Sequence, residues 1–210
     1  MDQHPLARVL EAMNATIQSH VGQLDALDEA IGDGDHGTNL AKAFAKLAAD
    51  RSRLAGLPLR EALAQAAATV TSEAGGAGGR VYGALGRGIA EAAPDGQVLP
   101  SDLVAMLEAG IAAVRSEGGA AKGGKTLLDV LIPVAQGMRS QLASDPAGLG
   151  ARVLAAAAHG LHGTTHLQAK HGLAADLGIA SVNRIDPGAC SCALLLGAAV
   201  GALETAPQAA

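Results

Sequence analysis

Apolar side chains recur every three or four residues along most of the chain, which is the spacing of one face of an α-helix. In the first stretch this spacing runs from Leu6 to Leu24, behind a proline suited to a first helical turn, and predicts a helix over residues 5–27. Similar stripes predict helices over residues 39–50, 58–73, 80–93, 101–116, 126–142, 147–170 and 187–203. The pattern therefore predicts an all-α protein of about eight helices, arranged as a bundle or barrel.

Capping residues and prolines refine some helix boundaries. Ser101 suits an N-cap, and Asp186 followed by Pro187 is typical of an N-cap with proline at the first helical position. Pro133 lies inside a predicted helix and should kink it. We expect the tail over residues 206–210 to be frayed, as chain ends without anchoring contacts are.

Composition agrees with a single helical domain. With 210 residues, 49% of them hydrophobic, the chain is long enough for one domain over residues 1–210 with a buried core. Phe44 and Tyr82 are its only aromatic residues, whereas strands recruit aromatic and β-branched side chains. Composition thus favours close-packed helices over sheets.

Charge and cysteine content narrow the possible partners and location. A net charge of −5 and the lack of aromatic platforms argue against nucleic-acid binding. Cys190 and Cys192, two residues apart on a helix, should face different sides as small core residues rather than form a redox pair. The first residues lack a signal-peptide layout, and the apolar stretch over 189–203 falls short of the roughly 20 residues that span a bilayer. We expect a cytoplasmic protein without a membrane segment, in which this stretch is a buried core helix.

Glycine is concentrated between helices in the segments 32–39, 75–83 and 118–126, together with aspartate, histidine, threonine or lysine. Glycine lets the backbone approach a ligand closely and direct its N–H groups at an anion. Flexible turns are the alternative for any one segment, but three such segments together indicate phosphate binding.

Three aspartates, Asp28, Asp33 and Asp35, are crowded around the first of these segments. Such carboxylates repel each other unless a cation neutralises them, and their hard oxygens select magnesium or calcium. An EF-hand counted from Asp33 would need glutamate at its twelfth position, where the chain has Phe44. Magnesium bridging carboxylates to nucleotide phosphates fits better, and a solvated acidic turn is the alternative.

Four segments carry a family resemblance, and they read GDGDHG at 32–37, GGAGGRVYG at 75–83, GGKTLLDVLIP at 123–133 and DPGA at 186–189. In this order they resemble the motifs GDGDHG, GGASG…YG, GDKTxLDxxxP and DPGA of the nucleotide-binding (L) subunit of dihydroxyacetone kinases. The resemblance covers nearly the whole chain, and ordered motifs are far more specific together than singly.

The resemblance implies an eight-helix antiparallel barrel that binds ADP or ATP at one end. It implies two Mg²⁺ ions held by Asp28, Asp33 and Asp35. It assigns nucleotide contacts to His36, Gly37, Thr38 and Asn39 at the phosphates, and to Ala77 and Gly78 in a covering loop. It also assigns them to Gly123, to Thr126 and Leu127 near the adenine, and to Asp186, Pro187 and Gly188, which close the pocket.

The resemblance also implies a division of labour between subunits. In the family, a histidine of a separate K subunit holds the sugar covalently, so this chain would be a kinase subunit that is active only with that partner. Phosphate would pass to dihydroxyacetone or a related small ketose by positioning and charge neutralisation, with His36 the only candidate catalytic side chain. Exchange of ATP and recharging of bound ADP by a phosphotransferase-system subunit both stay open, and a homodimer is compatible with the assignment.

Several positions depart from the family pattern. Leu173 and Ala180 replace two arginines, Gly124 replaces an aspartate and Gly78 a serine. An arginine at position 173 would help to neutralise the transferring phosphate. Its loss keeps open an alternative function, a nucleotide-sensing binding protein with lost or altered kinase activity.

Other patterns have simpler explanations. Residues 119–126 satisfy the Walker A pattern GxxxxGKT, but a P-loop follows a strand, whereas the preceding residues have helical spacing. The spacings of His159, His162, His166 and His171 allow zinc in principle, yet without an HExxH motif we favour surface or partly buried polar roles. Lys125 and Asp129 are spaced for a helical salt bridge, with a phosphate contact of Lys125 as the alternative.

Overall fold

Eight long α-helices and two short ones make up most of residues 4–118, 120–144 and 146–205, which the computed structural model describes. The helices are α1 (Pro5–Glu29), α2 (His36–Ala49), α3 (Arg51–Ala55), α4 (Leu59–Ala74), α5 (Gly76–Glu91), α6 (Pro100–Gly118), α7 (Leu128–Ser144), α8 (Leu149–Gly163), α9 (Leu173–Asp176) and α10 (Pro187–Glu204). No strand occurs within these ranges. The predicted frayed tail, residues 206–210, lies outside them.

The long helices form a closed ring. Each packs against the next in chain order, α1 with α2, α2 with α4, and so on to α8 with α10, and α10 packs back against α1. Because successive helices are neighbours joined mostly by short connections, they run antiparallel. The predicted all-α barrel of eight helices is confirmed.

Two apolar clusters fill the ring, and α10 contributes to both. One is built mainly on α6, α7 and α8, the other on α1, α2, α4 and α5. Cys192 belongs to the first and Cys190 to the second, and both thiols are free and buried. The prediction that the cysteines face different sides as core residues is confirmed.

Among the described residues, α10 is the helix that is long and apolar enough to cross a membrane, judged by length and a mean hydropathy of 1.5. Its first half is buried as far as Leu195, as predicted for a core helix, and beyond that residue it is partly exposed.

Some helix boundaries differ from those predicted. The first helix turn of α6 contains Ser101, and Asp102 Oδ2 accepts a hydrogen bond of 2.8 Å from Leu99 N, so the N-cap assignment of Ser101 was wrong. The helix predicted over 147–170 ends at Gly163, because an irregular segment with left-handed glycines follows. Asp186 does cap α10, accepting from Ala189 N at 2.6 Å. α7 continues through Pro133, whose kink stays a prediction.

One end of the ring collects all the glycine-rich connections. In an antiparallel ring, the α1–α2, α4–α5, α6–α7 and α8–α10 connections share an end, and these connections carry the motifs singled out in the sequence. The helices that begin there are α2, α5, α7 and α10, so four N-termini open toward the same region.

Candidate functional site

The three aspartates of the first connection lie together at this end. Oxygen atoms of Asp28, Asp33 and Asp35 lie within 4.8 Å of one another, Asp28 being buried and the other two exposed. Among the described residues this is the one group of histidine, cysteine or acidic side chains close enough to hold a metal ion. The set consists of hard oxygens, so the residues present fit Mg²⁺.

Asp28 also organises the loop that carries the other two carboxylates. Its Oδ2 accepts hydrogen bonds from the backbone N–H groups of Gly34 and Asp35, each at 3.0 Å, and of His36 at 3.2 Å. Its Oδ1 lies over Gly32, where an added Cβ would come within 2.2 Å. Glycine at position 32 therefore permits this orientation, in which one oxygen shapes the loop and the other is available to a cation.

The His36 side chain is fixed by residues of α5 and α10. Its Nε2 lies 2.8 Å from Ser191 Oγ, and Ser191 Oγ lies 2.6 Å from Tyr82 Oη. Burial lowers the pKa of His36, although the nearby aspartates oppose this effect. Its other ring nitrogen, Nδ1, would be 3.6 Å from a Cβ on Gly78. The ring thus joins the aspartate loop to the glycine-rich start of α5.

The start of α5 is a helix N-terminus built from glycine. Gly75 and Gly76 have φ of 58° and 54°, a conformation that side chains rarely adopt. The first N–H groups of a helix have no acceptor within it, so those of residues 76–78 are available to an anion. Ala77 is exposed and Gly78 half-buried, as a covering loop requires.

A buried aspartate shapes the third connection as Asp28 shapes the first. Asp129, at the start of α7, accepts from Gly123 N at 2.5 Å and from Thr126 N at 2.9 Å. Lys125 donates to backbone carbonyls and forms no ion pair with Asp129 among the described residues, so the predicted salt bridge between them was wrong. Because this loop follows helix α6, the Walker A pattern is not a P-loop.

The fourth connection brings Asp186 to the same end. Burial raises the pKa of Asp186 to about 7, against the hydrogen bond from Ala189 N and the charge of Lys125. Tyr82 Oη donates to the carbonyl of Gly188 at 3.2 Å, and a Cβ on Gly188 would lie 4.0 Å from Leu127 N. The DPGA segment is therefore packed between the starts of α5 and α7.

Asp25 is a residue that sequence reasoning missed. Thr38 donates to it through its backbone N at 2.9 Å and its hydroxyl at 2.7 Å. Burial raises the pKa of Asp25, but the hydrogen bonds from Thr38 outweigh it and the pKa is lowered. Asn39 accepts from Lys42 Nζ at 3.2 Å. Asp25 therefore fixes α2 on α1. In the sequence, its position one helical turn before Asp28 was the feature that could have pointed to it.

Two of the departures from the family pattern are exposed and one, Gly124, is buried. Leu173 is 57% exposed in the first turn of α9, and Ala180 is exposed. Gly124 lies against a neighbour, because an added Cβ would be 3.1 Å from His171 Cδ2. An aspartate at position 124 would require His171 to move, so the two positions depend on each other.

Of the histidines over residues 159–171, His171 is partly buried and the others are exposed. His159, His162 and His166 are exposed, and the rings of the last two meet edge to face with centroids 5.8 Å apart. Within the described ranges these histidines form no group with metal-binding spacing. The interpretation of surface or partly buried polar roles agrees with this geometry.

Electrostatics explain how one end can hold both cations and anions. Helix N-termini carry partial positive charge, and four of them lie at this end, of which the start of α5 also has N–H groups without a side-chain cap. The aspartates at the same end supply negative charge. A polyanion with bound divalent cations matches both halves of this arrangement.

Comparison with known proteins agrees with this geometry. A family model described as the DAK2 domain matches residues 30–201. The chain is 32% identical over 191 residues to the ADP-binding subunit DhaL of PEP-dependent dihydroxyacetone kinase 1 from Listeria innocua, covering 91% of this chain and 92% of that protein. It is 34% identical over 172 residues to the corresponding Escherichia coli subunit, covering 80% and 81%.

Solved structures show the same fold. Dihydroxyacetone kinase of C. freundii in its native form superposes with a TM-score of 0.73 at 25% identity, over 93% of this chain and 34% of that one. Its complex with AMP-PNP and Mg²⁺ gives 0.72 at 24% identity, over 93% and 33%, so this chain corresponds to about a third of that protein. By the family model and the relatives together, the chain belongs to the DAK2 domain family.

Proposed function

We propose that this chain is the nucleotide-binding subunit of a dihydroxyacetone-type kinase, binding ADP or ATP with Mg²⁺ and passing phosphate to a ketose held by a separate K-type subunit. The observation that carries the proposal is the convergence of four helix N-termini and three close aspartates at one end of the barrel. Relatives named as ADP-binding subunits of dihydroxyacetone kinases support it.

In this proposal Asp28, Asp33 and Asp35 hold two Mg²⁺ ions, which when bound neutralise charge on the phosphates. The start of α5 covers the phosphates with backbone N–H groups. Residues 123–127 and 186–188 form the wall that receives the nucleoside. The chain positions the donor phosphate, and a transfer by positioning and charge neutralisation needs no protein nucleophile, so the acceptor hydroxyl is that of the partner-bound ketose, dihydroxyacetone or a close analogue.

We further propose that the bound nucleotide is recharged in place by a phosphotransferase-system subunit. Three relatives that this chain matches along most of their length are named PEP-dependent, and a Lactococcus lactis relative is named PTS-dependent. Dialysis of the purified protein, followed by analysis of its nucleotide, tests this step. ADP that survives dialysis supports it, and free exchange of ATP contradicts it.

The site itself is tested by titrating ADP with and without Mg²⁺ into Asp33→Ala. We expect Mg²⁺-dependent affinity to fall about 100-fold, because a ligand to the cation is lost. Glu29→Ala is the matched control, since Glu29 is an exposed acidic neighbour outside the cluster, and its affinity should stay within about threefold. Wild-type affinity in Asp33→Ala would remove Asp33 from the site.

A further inference from the structure

The side chain of Lys125 is buried although it lies in a loop. Its exposed fraction is 2%, and its backbone has φ of 59°, in the left-handed region. Its Nζ donates to the carbonyl of Thr164 at 2.5 Å and to the carbonyl of Arg184. A buried ammonium is costly unless it is hydrogen-bonded, so these carbonyls are what make the position tenable.

The two carbonyls lie at opposite ends of one irregular segment. Residues 164–186, which we call the strap, connect α8 to α10 and contain α9. The ends of the strap are also joined directly, by Asn183 N donating to Thr165 O at 2.7 Å and Asp186 N donating to Thr164 Oγ1 at 3.3 Å. Lys125 therefore lies at the closed base of a long loop.

The strap is attached to the Lys125 loop at a second point. Lys170 N donates to the carbonyl of Gly124 at 3.1 Å, and the ring of His171 lies against Gly124. Inside the strap, Ala169 N donates to Ser181 Oγ at 2.9 Å. The strap and the loop over residues 123–127 thus form one packed unit, with Lys125 reaching from the loop into the base.

Charge supports the same arrangement. Burial lowers the pKa of Lys125, while Asp186 and Asp129 oppose this effect. Asp186 ends the strap and Asp129 shapes the loop, so each of the two segments contributes a carboxylate whose charge favours the ammonium. The positive charge of Lys125 is best accommodated when strap and loop are together.

We propose that Lys125 is a positioning residue of the nucleotide site, which holds the base of the strap and thereby places residues 186–188 opposite Leu127. The inference rests on the proposed function for its ligand. In a P-loop, the lysine of GxxxxGKT reaches the phosphates. Here Nζ is occupied by two carbonyls, so Lys125 contributes to nucleotide affinity without touching phosphate.

The test compares Lys125→Met, which keeps a long stem but removes every donor, with Lys122→Met, which changes an exposed lysine of the same loop. We expect amide hydrogen exchange of residues 164–186 in the free protein to rise at least about tenfold in Lys125→Met, with α2 and α4 unchanged. ADP and AMP, each with Mg²⁺, should lose affinity by the same factor, about tenfold. Lys122→Met should resemble the wild type in both measurements.

The equal loss for ADP and AMP is the decisive readout. A loss of affinity confined to ADP would mean that Lys125 contacts the second phosphate. Unchanged amide hydrogen exchange in the strap would mean that Lys125 does not hold the strap in place. Either result overturns the proposal. If Lys125→Met does not fold, Thr164→Val, which removes the hydroxyl acceptor of Asp186 N, is expected to give the same pair of effects, and their absence counts against the proposal. If the wild type binds no nucleotide, the proposed function fails. Amide hydrogen exchange of residues 164–186 then still tests whether Lys125 holds the base of the strap.

Discussion

At the scale of single residues, each buried aspartate of this end has a structural use. Asp28 and Asp129 accept backbone N–H groups of the loops that they border, and Asp186 caps α10. Asp33 and Asp35 are exposed. The buried aspartates give the loops their shape, and the two exposed ones accompany Asp28 in the cluster.

Gly78 is a residue at which the family pattern and the local geometry can be tested together. An added Cβ would be 3.6 Å from His36 Nδ1, an ordinary contact, so Gly78→Ser should fold normally. Its hydroxyl would add a donor beside the predicted phosphates, and we expect ADP affinity with Mg²⁺ to rise about three- to tenfold by calorimetry.

Gly79→Ser is the control for that substitution. Its Cβ would be 3.1 Å from Thr71 O and 3.2 Å from the carbonyl carbon of Ala74, so backbone would have to move. We expect Tm to fall by several degrees without a gain in affinity. Equal ADP affinity of Gly78→Ser and the wild type would show that residue 78 does not contact the phosphates.

At the scale of elements, the main structural feature of the site is the set of four helix N-termini. Each begins differently: α5 with left-handed glycines, α10 with a capping aspartate and proline, α2 after the aspartate loop, and α7 after a loop tied to Asp129. Burying the cap of α10 has an electrostatic cost that depends on pH.

Asp186→Asn should change the pH dependence of stability. The pKa of Asp186 is raised from an ordinary 3.8 to about 7 in the folded protein, so the folded state binds more protons between these values and stability falls as pH rises through them. Asparagine also caps helices but does not ionise. From pH 5 to 8, without nucleotide, the wild type should lose about 2–3 kcal/mol relative to Asp186→Asn in urea unfolding.

Asp176→Asn controls for removal of a charge from the strap, because Asp176 is exposed. Its stability should follow the wild type across the same pH range. Parallel profiles for the wild type and Asp186→Asn would show that Asp186 is already ionised at pH 5 in the folded protein.

At the scale of the whole molecule, the closed ring places a strap with exposed apolar side chains at the end that carries the aspartate cluster. Leu173, Leu177 and Ile179 are 57%, 42% and 77% exposed. Where the family pattern has an arginine, this chain therefore presents leucine to solvent. The partner that receives the phosphate must approach this end in the proposed function.

Leu173→Arg tests whether position 173 is a vacated charge site. An exposed arginine carries little desolvation cost, and a contact made mainly in the transition state raises kcat more than affinity. With a K-type subunit and dihydroxyacetone we expect turnover to rise about tenfold and ADP affinity to stay within about threefold. The chain without a K-type subunit should show no turnover.

Ile179→Arg adds the same charge elsewhere on the strap and should not raise turnover. Arg184→Ala tests whether Arg184 supplies the positive charge in place of residue 173. If it does, Arg184→Ala should lose activity, and adding Leu173→Arg to that variant should restore it. No gain from Leu173→Arg in either background, with ADP binding intact, would end the interpretation of position 173 as a vacated site.

The sequence by itself determined the long helices and predicted where the acidic side chains cluster. Helical spacing of apolar residues identified the eight long helices, because burial of one face per helix leaves that period in the chain. The crowding of Asp28, Asp33 and Asp35 predicted a cation site, and the structure places their oxygen atoms within 4.8 Å of one another. Asp186 before Pro187 marked a cap, which is a local hydrogen-bond pattern.

Only the tertiary structure decided which distant residues meet. Lys125 has a spacing that suits a salt bridge or a phosphate, yet its Nζ is taken by carbonyls of Thr164 and Arg184, which no local pattern encodes. The contact of His36 with Ser191 likewise depends on the closed ring. The strap has no helical period beyond Gly163, because its order comes from hydrogen bonds between its ends and to another loop, and such contacts leave no periodic trace in the sequence.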